Sequence, residues 1–327
     1  VTASLFQSKA WQSAWWDTWG HQAGFKLVRK WDGKVSGLYE SNYRLKGVLP
    51  VRSLQFVGTS YRELRTPRTE YNRFCEENSG GKELVDAMES LLEERSWTEA
   101  VFKDLRTGSS EVSALVTIAA TRGWAFRITS SDHGYAVNTV GCFTDYIGSL
   151  GAKSRLRLYN RRKIFESLGQ VQECNLWPDS TDQFFAELNR FHLARWQKKC
   201  VTEKSLEFHK RFLSRIVHEG GRPVLSVIYC NKKVVSVLYN VWFEGVVYNI
   251  QAGFEEGFHP KLSLGSLHLG YAIEDAFSNP DTTSFDLLAG QGKREDYKAR
   301  FSTVNYQFVS IMLVKSVLFR ALYWMRG

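Results

Sequence analysis

Residues 251–276 read QAGFEEGFHPKLSLGSLHLGYAIEDA: a β-rich end, a polar loop and the start of a helix. A strand that runs through a loop into a helix N-terminus collects free backbone N–H groups and the positive end of the helix dipole, and phosphates bind well there. Gly253 closes the strand, and Lys261, Ser263, Gly265 and Ser266 stand at the loop-to-helix junction, where Gly265 carries no Cβ to keep a ligand away. These five residues are the predicted cofactor-binding set. A capped helix after a surface loop reads the same way on composition, and the full Gly-rich fingerprint is missing.

Upstream of this stretch, RPVLSVIYC, KVVSVLYNVWF and GVVYNIQAGF are β-branched and aromatic, and turns at Asn231-Lys232 and Glu244-Gly245 join them into an antiparallel meander. Before the meander, Phe184, Phe185, Leu188, Phe191 and Trp196 form one apolar helical stripe, with Ser180 and Gln183 as its expected capping box. Downstream come a helix from Ser263 to Phe277, a strand TSFDLLAG, a helix from Arg294 to Phe301 and a strand NYQFVSIML.

The earlier part of the chain shows a similar order. Ser8 caps a helix marked by Trp11, Trp15 and Trp19; FKLVRKW and KVSGLYE flank the Asp32-Gly33 turn; a meander runs to Val57; and a long loop spans Gly58 to Gly81. A helix with Leu84, Met88, Leu91 and Leu92, a strand WTEAVFKDL, a helix from Ser110 to Arg122 and a strand WAFRIT follow. The expectation is an α/β (α+β) protein of two like halves, residues 1–150 and 151–327, each a mixed, mostly antiparallel sheet flanked by helices.

Composition sets the outer limits. The chain has 327 residues, 43% hydrophobic and 24% charged, which is enough to bury cores in two domains. A formal net charge of +9 attracts anions in general, from phosphorylated cofactors to acidic carriers, nucleic acid or a membrane face. Five scattered cysteines without a CxxC pair fit a reducing, cytoplasmic setting rather than a disulfide framework. No apolar run follows a basic start, so no signal peptide is expected, and charges interrupt every apolar stretch. The seven histidines lack HExxH or other metal-ligand spacing, so no metal is expected; GxSxG and Walker motifs are also missing.

Four stretches make the reading more specific: KSRLRLYNRRKIFESLG (Lys153 to Gly169), FHLARW (Phe191 to Trp196), YNIQAGFEEGFHPKLSLGSLHLGYAIEDA (Tyr248 to Ala276) and FDLLAGQGKREDYKARF (Phe285 to Phe301). In this order they resemble the BcsL/CelD-like acetyltransferase family, itself similar to the FemABX peptidyltransferases. The resemblance covers the second half; the first half matches by architecture. It implies tandem GNAT-like halves with the acyl-donor site in the C-terminal one. The implied reaction moves an acyl group from a thioester, acyl-CoA or acyl-carrier protein, to an amine or hydroxyl of a small-molecule or glycan acceptor. The family's frequent setting is polysaccharide or envelope biosynthesis. The loop PKLSLGS is poorer in glycine than the common GNAT pyrophosphate loop, and an aminoacyl-tRNA donor, as in the FemABX branch, also suits the basic charge. A GNAT-fold protein that binds without catalysis is the remaining alternative.

Acyl transfer by direct attack needs a base for the acceptor, dipoles for the oxyanion and an acid for the leaving thiolate. Asp286 lies mid-strand between apolar Phe285 and Leu287, which point to the opposite face; pairing with Lys298 or Arg300 as structural glue is the plainer role. Tyr297 and Lys298 fall on the next helix, where the resemblance implies a tyrosine that protonates the thiolate. His192 lies on its helix's apolar stripe, as a base or a packing residue. Arg155 and Arg162 in the basic run, Arg195, and Glu255 are the candidate substrate-binding residues. The C-terminal VKSVLFRALYWMRG suits a packing helix or a peripheral contact with an anionic membrane.

Overall fold

The computed structural model describes residues 4–76, 81–290 and 297–324. The chain forms two compact units, Val1–His133 with Tyr306–Gly327, and Gly134–Asn305. In the first unit, α1 (Lys9–Trp19) precedes β1 (Phe25–Arg29), β2 (Leu38–Leu45) and β3 (Leu49–Phe56), and then come α2 (Gly81–Glu93), β4 (Glu99–Arg106), α3 (Ser110–Thr121) and β5 (Ala125–Asn138). The last residues of β5 belong to the second unit. There the chain continues through α4 (Phe143–Ser149), α5 (Ala152–Arg155), a π-helical turn at 156–160, α6 (Arg162–Ser167), β6 (Val171–Asn175), α7 (Thr181–Trp196) and α8 (Glu203–Ile216). It then passes through β7 (Arg222–Cys230), β8 (Lys233–Phe243), β9 (Val246–Phe254), α9 (Leu264–Ser278), β10 (Ser284–Ala289) and α10 (Tyr297–Phe301). β11 (Val304–Val314) and α11 (Val317–Trp324) return to the first unit.

Each unit builds the same sheet. In the first, β1, β2 and β3 form an antiparallel meander, β3 pairs parallel with β4, and β4 pairs antiparallel with β11. In the second, β6 to β9 form the meander, β9 pairs parallel with β10, and β10 pairs antiparallel with the end of β5. Both parallel pairs are joined through a helix, α2 or α9, as a parallel connection requires.

The expected boundary at 150/151 is not where the units divide. Each unit receives its last strand from the segment that follows the other's crossover, so 306–327 packs with the first unit and 134–150 with the second. Strand pairing, which no single stretch of chain encodes, places that division.

Local signals account for most elements. Ser8 Oγ accepts the Trp11 N–H at 3.1 Å and starts α1. Asn231 and Lys232 (φ 50° and 66°), like Glu244 and Gly245 (φ 51° and 80°), make the tight left-handed turns of the meander. The expected Ser180–Gln183 box does not form: Ser180 sits at ψ 34°, off the extended conformation that aims a capping hydroxyl, and its side chain makes no cap bond. The reciprocal box lies at Thr202 and Ser205, opening α8, a helix the sequence reading passed over.

In the first unit α2 and α3 cover one face of the sheet through Leu84, Met88, Leu115 and Ile118, and α11 covers the other through Phe319 and Tyr323. In the second, α9 and α4 bury Leu269, Ile273, Tyr146 and Ile147 against Leu238, Phe285 and Leu287. On the opposite face Phe184 and Phe185 of α7 and His209 of α8 surround Tyr239. A fully buried side chain of this size stabilises by roughly 1.5–3 kcal/mol, so these layers hold the strand ends that form the site. No described helix is long and apolar enough to cross a membrane.

Candidate functional site

Strands β9 and β10 pair through three positions, Val246, Val247 and Tyr248 opposite Ser284, Phe285 and Asp286, and then part. β9 stays with β8 as far as Phe254, but one extra residue, Ile250, bulges between Asn249 and Gln251. Beyond the bulge, the Ala252 N–H donates to its neighbour Gln251 Oε1 at 3.1 Å, and the Ala252 carbonyl oxygen lies 3.1 Å from His192 Nε2. In an antiparallel strand both backbone groups of one residue point the same way, so Ala252 presents its pair to the wedge between β9 and β10.

The start of α9 stands at the wide end of this wedge. Ser263 is its N-cap residue, at φ −120° and ψ 88°, and makes no side-chain cap bond; its hydroxyl meets Ser266 Oγ at 3.0 Å instead. The first-turn amides are therefore left without a side-chain cap, as anion binding requires. Gly265 packs on Phe254, and a Cβ there would fall 2.5 Å from that ring. Arg195 stands 5.0 Å from the same ring's centroid and pairs with Glu256 at 2.9 Å. Lys261 is exposed beside this turn.

The remaining candidates divide between two faces. His192 is on the face covered by α7; burial pushes its pKa down, the Ala252 carbonyl opposes that, and Arg195 adds to the lowering. With Nε2–H donating to Ala252, Nδ1 is left as the acceptor of a neutral ring. Asp286 points away from Phe285, and its Oδ1 accepts the Leu288 N–H at 2.7 Å across a bulge where Leu288 has φ 59°. Tyr297 packs with Phe285 and Phe301 on the α9 face. Lys298 Nζ donates to the Leu288 and Ala289 carbonyls at 3.1 and 2.9 Å, closing the end of β10. Residues 291–296 of the FDLLAGQGKREDYKARF motif lie outside the described residues.

Gly253 faces α7: a Cβ there would meet Phe191, Leu188 and Val237 at 3.1–3.2 Å, so this glycine serves helix-on-sheet packing. Glu255 pairs with Lys233 at 2.8 Å. Arg155 donates to the Gly148 carbonyl at 3.3 Å. Arg162 pairs with Glu274 of α9 and lies over Tyr271 and Tyr159, at 4.1 and 4.6 Å from their centroids. Arg195 alone of the four substrate candidates stands beside the α9 start.

Sequence reasoning passed over two features. Buried His268, on α9, lies 2.8 Å from Ser226 Oγ through Nε2 and 2.8 Å from Ser236 Oγ through Nδ1. The Ser226 hydroxyl donates to Glu173 at 2.5 Å, so Nε2 carries the proton and Nδ1 accepts from Ser236. The chain spans β6, β7 and β8; a histidine on an apolar helix face is visible in sequence, but its partners are not. The second feature is the first unit's own wedge, which is filled. Past Val101, the last β4 residue paired with β3, the Asn72 N–H donates to the Asp104 carbonyl at 3.2 Å and Asn72 Nδ2 to the Lys103 carbonyl at 2.9 Å. The loop thus occupies the place a ligand would take.

A meander, a helix whose start faces a wedge and a diverging parallel strand thus frame the candidate site of the second unit. Residues 152–299 match the family described as "Acetyltransferase (GNAT) domain", and that match supports an acyltransferase. No curated protein matches the chain. Among solved structures, FemX is 10% identical over 98% of this chain and 94% of its own, with a TM-score of 0.59. A conserved protein of unknown function from Bacteroides thetaiotaomicron VPI-5482 is 10% identical over 96% of this chain and 92% of its own, with a TM-score of 0.53. A tandem GNAT protein from the clavulanic acid biosynthesis pathway is 10% identical over 95% and 97%, with a TM-score of 0.46. For FemX and the Bacteroides protein the likeness at such identity is one of fold, and chemistry must come from the site. Among the described residues no group of three His, Cys, Asp or Glu side chains could hold a metal ion.

Proposed function

We propose that the second unit transfers an acyl group from acyl-CoA to an amine or hydroxyl by direct attack, with the donor lying in the wedge between β9 and β10. The observation that carries this reading is Ala252, whose two backbone groups face the wedge and are satisfied by side chains rather than by a strand. A pantetheine amide has one donor and one acceptor at the spacing of a peptide, so it can pair with β9 there as a strand would. The CoA pyrophosphate then falls on the uncapped amides at Leu264–Ser266, with Lys261 and Arg195 as cations beside it.

His192, neutral and with Nδ1 free to accept, takes the proton from the acceptor as it attacks the thioester carbonyl. The carbon–sulfur bond breaks, and Tyr297 supplies the thiolate's proton, since phenols and thiols in general are of similar acidity. Asp286 acts by shaping the β10 bulge. The BcsL/CelD-like assignment, and with it a glycan or envelope acceptor, rests on the resemblance of the quoted motifs.

The test is thiol release from acetyl-CoA, longer acyl-CoAs and an acyl-carrier-protein thioester, each mixed with an amine and hydroxyl acceptor panel. Free CoA thiol appearing with acceptor supports the reading. Release from the carrier donor alone would replace CoA by the carrier protein, and product formed from an aminoacyl-tRNA without thiol would move the protein to FemX-like chemistry. Neither CoA binding nor turnover of any donor would leave a binding protein.

A further inference from the structure

The first unit has an apolar cavity of about 590 Å³ between the start of β5 and α11. Phe126, Val314, Ala321 and Tyr323 line it, together with Arg127 and Arg320. That volume lies within the range of small-molecule sites, about 300–1,000 Å³.

The cations around it lack acids. Arg127 donates to the Tyr323 carbonyl at 3.0 Å, and Arg320 to the Gly123 and Lys315 carbonyls at 2.5 and 3.3 Å. Lys315 donates to the Arg95 carbonyl at 3.4 Å and stands 5.5 and 5.4 Å from the rings of Trp97 and Trp124. Among the described residues none of these three cations has an acidic partner, and Arg320 Nε is buried without any hydrogen-bond partner. Carbonyls orient a guanidinium but leave its charge uncompensated.

Apolar side chains project beside the cations. Val317 and Leu318, at the start of α11, are 74% and 58% exposed. Positive charge, an apolar cavity and projecting aliphatic residues on one helix match an anionic amphiphile in a bilayer. A nucleic acid has no use for the aliphatic residues, and a soluble acid none for their exposure.

We propose that this face docks on anionic phospholipid, taking one acyl chain into the cavity and lipid phosphate onto Arg127, Lys315 and Arg320. The full chain should co-sediment with vesicles of equal parts phosphatidylglycerol and phosphatidylcholine at least about tenfold more strongly than with phosphatidylcholine alone, and lose that preference in high salt. V317D/L318D should weaken binding about tenfold at unchanged Tm, because both side chains are exposed, and Ala321→Phe should do so by filling the cavity. Equal partition onto neutral and anionic vesicles overturns the proposal, as does wild-type binding by both variants. Uptake of dodecyl phosphate without any vesicle binding also overturns it, because the cavity would then serve a free amphiphile. Should Ala321→Phe not fold, the outer pair decides alone.

Discussion

A Cβ on Gly265 would lie 2.5 Å from Phe254 Cε1, so the absence of a side chain at the start of α9 sets how closely that helix meets the end of β9. Gly265→Val should push the first turn away from the wedge. The KM for acyl-CoA is expected to rise about tenfold with kcat within about twofold, because the amides contact donor phosphates in ground and transition state alike. Steady-state kinetics with acyl-CoA varied reads this directly, and a fall in kcat at constant KM would contradict it.

Gly270 presents a second close approach on the same helix, since a Cβ there would fall 2.1 Å from the Leu158 carbonyl oxygen in the π-helical turn. A backbone oxygen cannot swing aside as a side chain does. Gly270→Ala should therefore destabilise the protein by about 1–3 kcal/mol, despite alanine's better helix propensity. Urea unfolding gives the number; an unchanged or raised midpoint would show that α9 and this turn are not so closely packed.

His192→Ala should lower kcat by about 10²- to 10⁴-fold. Burial and Arg195 hold the imidazole below its ordinary value, about 6.5, so the acidic limb of the kcat/KM profile should fall below that pH. A limb above pH 7 in the wild type, or one that persists in the variant, would assign the base elsewhere.

Asp286 is expected to act on structure. Its Oδ1 accepts the Leu288 N–H, and an amide oxygen can do the same, so Asp286→Asn should keep both Tm and turnover. Asp286→Ala leaves that buried N–H unpaired and should cost about 1–3 kcal/mol. Loss of turnover in the asparagine variant at constant Tm would mean the carboxylate takes part in the chemistry.

Stability should fall in acid through His209. Burial pushes its pKa down to about 3, and it packs between Phe185 and Tyr239. The unfolded imidazole, near pH 6.5, binds a proton that the folded one refuses, so stability is full above pH 6.5 and is lost as pH falls toward the folded value. Between pH 6.5 and 4 this amounts to something on the order of 3 kcal/mol. Calorimetry across that range should show a flatter profile for His209→Gln than for the wild type.

Much of this was legible in the sequence because it is local. The two meanders, their left-handed turns at Asn231-Lys232 and Glu244-Gly245, the Ser8 cap and the helix after PKLSLGS follow from short-range pattern and turn chemistry. The α8 helix was passed over, although Phe208, Phe212 and Ile216 are spaced for one buried face. Roles were less legible. Asp286 and Tyr297 are eleven residues apart in sequence and fall on opposite faces of the sheet, while Gly253 reads as a ligand residue and fits a helix instead.

The sequence by itself determined many of the strands and helices and that they come in two similar sets, because periodicity, capping and turn preference act over a few residues. Tertiary structure decided that β5 and β11 each complete the other set's sheet, that Asn72 fills one wedge while Ala252 faces the other, and that His268 bonds Ser226 and Ser236. Those outcomes depend on pairing between segments far apart in the chain, where competing partners differ by contacts that exist only once the strands have met.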